Sequence, residues 1–116
     1  MEKGEPRAAL PLSPRVFHIF MALAREPMNG YRLGLQVEES SGGAIHMSPG
    51  TLYENLHRLA ERGMIQELPE GPVSKSDGRG QRFYTLTGQG LEVLKAEVAR
   101  LSQDLVLAQS VLAPGT

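Results

Sequence analysis

Residues 48–59, SPGTLYENLHRL, form the segment that most limits how this chain can fold. Ser48 is a favourable helix N-cap, and Pro49 stands at the first helical position, where its missing amide hydrogen costs nothing. Leucines at positions 52, 56 and 59 form a stripe that a helix buries on one side. The other side carries residues that are not the usual filler of a solvated helix: Gly50, Thr51, Tyr53, Glu54, His57 and Arg58. The segment therefore predicts a helix with one face buried in the core and an opposite polar face that contacts something else.

Two further helices are predicted before this segment. Ser13-Pro14 opens the first helix, and the following RVFHIFMALA is apolar on nearly all sides, as in a helix that is central or shared with a partner chain. The turn formers of REPMNG, residues 25–30, end that helix. YRLGLQVEES then predicts a short second helix, and SGG at residues 41–43 ends it.

After the quoted segment, the pattern changes to strands around a glycine-rich loop. MIQEL at 64–68 and RFYTL at 82–86 have strand composition, and residues 69–81 between them have the composition of turns. Residues 71–90 carry Lys75, Arg79 and Arg82 against Asp77 alone, although the chain has a net charge of −1. These residues predict a hairpin with a basic tip, which either contacts phosphates or only adds solubility.

Thr87 is expected to cap a last helix that carries an apolar seam. Its apolar residues follow alternating spacings of three and four, which is typical of a coiled coil: Leu91, Leu94, Val98, Leu101, Leu105, Ala108 and Leu112. The seam predicts a homodimer, although such a helix can also lie along its own domain. The predicted interface combines this helix with the first one: Phe17, Phe20, Met21, Leu91, Leu94, Val98, Leu101, Leu105 and Leu112.

Length and composition set the domain organisation. A chain of 116 residues with 41% hydrophobic content can form one domain with a modest core. We expect a flexible leader at 1–12, one folded domain at 13–86 and a dimerisation helix at 87–112. The sequence has no cysteine, no apolar run typical of a signal peptide and none long enough to cross a membrane, so we expect a cytoplasmic protein.

The order of helix, helix, helix, strand, basic loop, strand and long helix is that of a winged helix-turn-helix. The predicted fold class is therefore mainly α with a small β-hairpin, in which residues 13–86 form a winged helix-turn-helix DNA-binding domain and residues 87–112 a C-terminal dimerisation helix. In this layout the third helix enters the major groove of double-stranded DNA, and the hairpin reaches the neighbouring backbone. Ser48 and Gly50 would let the helix start approach a phosphate, and Arg58 would bond a guanine edge or a phosphate. Lys75, Arg79 and Arg82 would bind phosphates or enter the minor groove.

The sequence also resembles the PadR-type transcriptional regulators. The similar blocks are MNGYRL, SPGTLYENLHRLAERGMI and GRGQRFYTLTGQG, within residues 17–94. The resemblance implies a bacterial or archaeal homodimeric repressor whose C-terminal helix packs on its partner, and operators with inverted half-sites. It also implies that Tyr31 and Tyr53 donate hydroxyls to phosphates. Asn29 and Glu54 depart from the family, which often has His and Pro at these positions, and a phosphate would repel Glu54 unless it accepts from the amino group of a cytosine.

Several alternatives remain open at this point. His57 either faces DNA or is merely solvated, and Arg58 and Arg62 either contact DNA or pair with Glu54 and Glu61. The same fold could bind a protein instead of DNA. A small-molecule effector could lie between the dimer's helices, in a pocket that otherwise is plain dimer core: Phe17, Phe20, Met21, Leu94 and Val98. No catalytic motif, cofactor motif or metal-ligand spacing is present, so we expect neither an enzyme, nor a cofactor, nor a metal site.

Overall fold

A computed structural model describes residues 5–69 and 82–115. Helix α1 (Pro14–Arg25) is followed by a short strand β1 (Met28–Asn29) and by helices α2 (Gly30–Ser40) and α3 (Pro49–Glu61). Strands β2 (Ile65–Leu68) and β3 (Phe83–Leu86) lead to the long helix α4 (Gly88–Leu112), and a 3₁₀ helix (Pro6–Ala9) precedes α1. The described chain is thus mainly helical with a small sheet, which confirms the predicted fold class.

Side-chain caps fix where the four α-helices begin. Ser13, Ser48 and Thr87 each accept a hydrogen bond from the backbone amide three residues on, at 3.2, 3.2 and 3.0 Å. These three caps agree with the sequence prediction. The fourth helix start was not predicted as a cap: the Asn29 side-chain oxygen accepts from the Arg32 amide at 2.8 Å and so begins α2.

The sheet has three antiparallel strands in the order β1-β3-β2. Met28 pairs with Tyr84 on one side of β3, and Ile65 and Leu68 pair with Leu86 and Phe83 on the other. The sequence predicts only the β2–β3 hairpin and a turn at residues 25–30. A strand of two residues carries no readable alternation, and it forms here because β3 offers a second edge and Met28 is buried.

A single core joins α1, α2, α3, the sheet and the first half of α4. Each of the three leucines in the α3 stripe is buried, as predicted. Phe20 and Leu94 require a correction, because only 1% and 8% of their surface is exposed within one protomer. They belong to the domain's own core, so they neither form the dimer contact predicted for them nor line an effector pocket between chains. Phe17 and Met21 are half-buried.

The segment before α1 is tied to α4. The 3₁₀ helix packs against α4, and the Leu12 amide donates to a carboxylate oxygen of Glu97 at 3.0 Å. The flexible leader at 1–12 stays a prediction; within that range, residues 6–9 form a helical turn that packs against α4. The physical reason is that Leu10 and Leu12 pack against the core and Glu97 needs a donor.

Helix α4 runs from the core into solvent. Val93, Leu94 and Glu97 are buried near its start, whereas every residue from Leu101 to Leu112 is exposed. The molecule is 63 Å long in its longest direction, because the last turns of this helix project beyond the domain. Across the described ranges, no helix combines the length and apolar content that crossing a bilayer requires.

Candidate nucleic-acid interface

Helix α3 presents its polar face to solvent. Tyr53, Glu54, His57 and Arg58 are exposed, while the leucine stripe on the opposite side is buried against the core. The two-faced character predicted from the sequence is therefore present. Since the buried stripe fixes the rotation of the helix, the exposed face has a defined direction and can be offered as a unit to a groove about as wide as a helix.

The first turn of α3 is open to approach by a ligand. Ser48, Pro49 and Gly50 are all exposed, and a β-carbon added at Gly50 would meet no atom within 4 Å. The Ser48 hydroxyl accepts from the Thr51 amide at 3.2 Å and donates to the Thr51 hydroxyl at 3.1 Å. These bonds order the turn while its outer surface stays accessible.

The two tyrosines predicted from the family resemblance lie by the start of α2. The Tyr53 ring packs directly over Gly30, and a methyl group at Gly30 would overlap the Tyr53 hydroxyl oxygen. Tyr31 follows Gly30 and is 74% exposed. A phenol hydroxyl is therefore placed at a helix N-terminus, where the partial positive charge of the backbone favours an anion such as phosphate.

The charged side chains of α3 differ in whether they form ion pairs. His57 Nε2 lies 3.2 Å from a carboxylate oxygen of Glu61, so that histidine is partly engaged on its own helix. Neither alternative pairing considered for the arginines, Arg58 with Glu54 or Arg62 with Glu61, occurs in the described part of the chain. Arg58 is exposed, and its guanidinium group forms no ion pair with a carboxylate of residues 5–69 or 82–115.

Three basic residues are predicted on the wing, which is the β2–β3 hairpin with its loop: Lys75, Arg79 and Arg82. The structure describes Arg82. Arg82 forms an ion pair with Glu67 across the β2–β3 hairpin. The hydrogen bond with Glu67 raises the pKa of Arg82, and this carboxylate offsets the charge that Arg82 would offer to DNA. Lys75 and Arg79 lie outside the described residues.

The three histidines have different partners in the described part of the chain. His18 bonds the Ser40 hydroxyl at 2.7 Å, and His46 lies 3.2 Å from Glu38. No group of three His, Asp or Glu side chains in the described ranges could hold a metal ion.

The sequence alone missed three contributors to this surface. Gly30 lets Tyr53 approach α2, Asn29 caps that helix, and Glu67 neutralises Arg82. The pair Asn29-Gly30 was interpreted only as a turn, although Asn is a strong N-cap residue and was a usable signal. Glu67 gave no such signal, because its closeness to Arg82 depends on the strand register.

The protein family whose sequence profile matches this chain is one of transcriptional regulators. The sequence profile of the Transcriptional regulator PadR-like family matches residues 19–96. An uncharacterised 37.1 kDa protein from a transposon of Streptomyces fradiae is 37% identical over 87 residues, which is 72% of this chain. The chain spans only 23% of the length of that relative.

Solved structures share the fold. A PadR family transcription regulator from Clostridium difficile superposes with a TM-score of 0.72 at 21% identity, covering 87% of this chain and all of that one. A PadR-like transcriptional regulator from Bacillus cereus gives a TM-score of 0.71 at 20% identity, with 86% and 92% covered.

Bacillus subtilis PadR, solved in complex with operator DNA, gives a TM-score of 0.64 at 20% identity, with 76% of this chain and 48% of that one covered. These likenesses concern the fold, whereas the family profile covers well over half of the sequence. The family is one of regulators and not of enzymes. This chain belongs to the Transcriptional regulator PadR-like family.

Proposed function

We propose that this protein is a sequence-specific, double-stranded DNA-binding repressor that acts as a homodimer on operators with inverted half-sites. The observation that carries the proposal is the exposed polar face of α3, which begins with an open, capped turn and includes an arginine with no carboxylate partner among the described residues. Family membership and the fold shared with a regulator solved on its operator support the same function. Occupying a promoter is enough to exclude a polymerase, so repression needs no further contact.

Each DNA contact has a proposed role. Arg58 and Thr51 read base edges in the major groove, and Ser48 and Gly50 bring the start of α3 to the backbone. Tyr31 and Tyr53 donate hydroxyls to a phosphate at the start of α2. Glu54, which phosphate would repel, accepts from the amino group of a cytosine. His57 is a weaker candidate, because Glu61 already engages its ring. On the wing, Lys75 and Arg79 bind phosphates, and Arg82 contributes less because of Glu67.

The dimer is proposed from the exposed end of α4. Leu105 and Leu112 are 57% and 80% exposed in one protomer, a costly arrangement for a helix that remains alone in water. Pairing this half of α4 with its copy, together with Phe17 and Met21 of α1, would cover the seam. Val98 and Leu91, both exposed, belong to the same surface. A two-fold axis through this contact would present two α3 helices to an inverted repeat.

Arg58→Ala should separate base reading from charge steering. Because a bidentate base contact exists only at the right base pair, the variant should lose about 1–3 kcal/mol of affinity on the operator and much less on scrambled duplex. Lys75→Ala should weaken both duplexes by similar factors and reduce the salt slope by about one, since a phosphate contact releases counterions whatever the sequence. Operators come from selection of bound genomic fragments, and isotherms at several salt concentrations measure both effects.

Equal losses on both duplexes for Arg58→Ala would assign Arg58 to the phosphate backbone and move base reading to Thr51 and Glu54. A failure to select any fragment would contradict DNA binding and favour the alternative, a winged-helix module that binds protein.

Gly30→Ala should weaken operator binding by about tenfold while leaving the domain folded. The added methyl group displaces the Tyr53 ring from the start of α2, and Tyr53 is exposed enough to move without disturbing the core. Gly34→Ala is the matched control, because its methyl group would lie 3.5 Å from Leu52 in ordinary contact. Thermal melts and operator isotherms of the two variants test this, and equal affinities would remove Tyr53 from the phosphate contact.

A further inference from the structure

An apolar cleft separates α2 from the first turns of α3. Its volume is 340 Å³, which is within the range of small-molecule sites. Apolar side chains form most of its wall: Tyr31, Leu35, Met47, Pro49, Leu52 and Tyr53. Gly34 and Leu52 lie next to each other in this wall. The cleft is therefore a shaped concavity between two helices that the caps hold in place.

DNA binding does not explain why this cleft is apolar. Leu35 is 53% exposed at its edge, on the side where the proposed phosphate contacts of Tyr31 and Tyr53 lie. A surface that only faces phosphates gains from amides, hydroxyls and cations, and gains nothing from an exposed leucine. An exposed apolar patch within a concave wall is typical of a ligand site.

The charge in the cleft selects the kind of ligand. Among the described residues that line the cleft, Glu38 supplies the one carboxylate, held by His46 Nδ1 at 3.2 Å, and none is a lysine or an arginine. The second Glu38 oxygen stays accessible, since this side chain is nearly half exposed. The rings of Tyr31 and Tyr53, towards the other end of the cleft, would pack against an aromatic body. A cationic group placed beside Glu38 meets complementary charge, whereas a carboxylate placed there is repelled by Glu38.

The spacing of Tyr31 and Glu38 along α2 limits the length of the ligand. Tyr31 and Glu38 are seven residues apart on α2, which places them about 10 Å apart along the helix axis. A ring lying between Leu35, Leu52 and Tyr53 would then put an ammonium group one or two bonds away beside Glu38.

We propose that this cleft binds a small organic cation with an aromatic body, and that the bound cation competes with operator DNA. The ligand would cover Tyr53 and Pro49, at the surface proposed to meet the backbone. The competition rests on the proposed function, but binding of the cation to the free protein does not.

Benzyltrimethylammonium is a suitable probe, because it is permanently charged and too small to intercalate strongly. Titration of the isotopically labelled full chain should shift amide resonances of residues 30–38 and 47–53, with saturation. Phenylacetate, of similar size and opposite charge, should bind at least tenfold more weakly. Glu38→Gln should weaken binding of the cation at least tenfold, and Glu39→Gln, one residue away and outside the cleft wall, should leave it unchanged.

Equal binding of the two probes, equal effects of the two glutamine variants, or shifts confined to other residues would each overturn the site. A second arm measures operator affinity with and without the cation. A rise in the dissociation constant that Glu38→Gln abolishes supports competition, whereas saturation of the cleft with unchanged operator affinity overturns the competition and leaves the site. If the protein bound no DNA at all, the proposed function would fail while the titration still decided the site.

Discussion

Replacing Glu97 with alanine should lower the free energy of unfolding by about 3 kcal/mol. Glu97 is 1% exposed, and both of its carboxylate oxygens are engaged. Arg100 donates to them from Nε at 2.7 Å and from Nη2 at 3.0 Å, and the Leu12 amide donates at 3.0 Å. Alanine removes the shared acceptor, so the Leu12 amide loses its partner and the segment before α1 loses its tie to α4. Urea denaturation at one fixed protein concentration measures the difference.

Glu92→Ala is the matched control on the same helix. Glu92 and Lys95 form an exposed pair at 3.5 Å, and such pairs contribute less than about 1 kcal/mol. If the two alanine variants lost the same stability, the buried network around Glu97 would have no special role.

The effect of Glu97 should also depend on pH. The hydrogen bond from Arg100 lowers the pKa of Glu97 in the folded protein, burial opposes that change, and the bond from Leu12 adds to it. Because the folded pKa lies below the ordinary value of 4.5, the stabilisation is complete above about pH 4.5 and is lost as the pH falls towards the folded pKa. The stability gap between the natural protein and Glu97→Gln should therefore be constant near pH 7 and should shrink below pH 4.5.

Local patterns in the sequence predicted the helices well, because the signals that start and bury a helix lie within one turn. Ser13, Ser48 and Thr87 mark helix starts by their own side chains, and the leucine stripe of α3 is buried as its spacing indicates. The two faces of α3, which define the candidate site, were likewise readable from residues 48–59.

Contacts between distant segments could not be predicted in the same way. Leu12 and Glu97 are 85 residues apart, and nothing in the pattern around either one indicates the other. Leu94 shows a related limit: a 3–4 spacing indicates that a face is buried but not whether the same chain or a partner buries it. In the structure the first turns of α4 are covered by the protomer itself, and the last turns are not.

That division within α4 indicates where the proposed dimer can be tested most directly. Leu105→Asp should raise the dimer dissociation constant at least a hundredfold, or about 2.7 kcal/mol. A two-fold interface uses the same surface of both chains, so the substitution introduces two negative charges, one from each chain, into a surface that must lose water. The protomer should keep its fold, because Leu105 is 57% exposed and contributes little to the core. Sedimentation velocity measures the dissociation constant, and far-ultraviolet circular dichroism checks the fold.

Gln103→Asp is the matched control, since Gln103 is also exposed and lies about 200° around the helix from Leu105, away from the seam. It should leave the dimer intact. Leu105→Asp should lose operator affinity together with dimerisation, and Gln103→Asp should lose neither. The reason is that a dimer with one α3 helix bound holds its second α3 helix at a high effective concentration near the other half-site, which separate protomers lack. A Leu105→Asp protein that still sediments as a dimer would show that another surface holds the two chains together. One that is monomeric yet binds the operator with unchanged affinity would show that a single protomer is the DNA-binding unit.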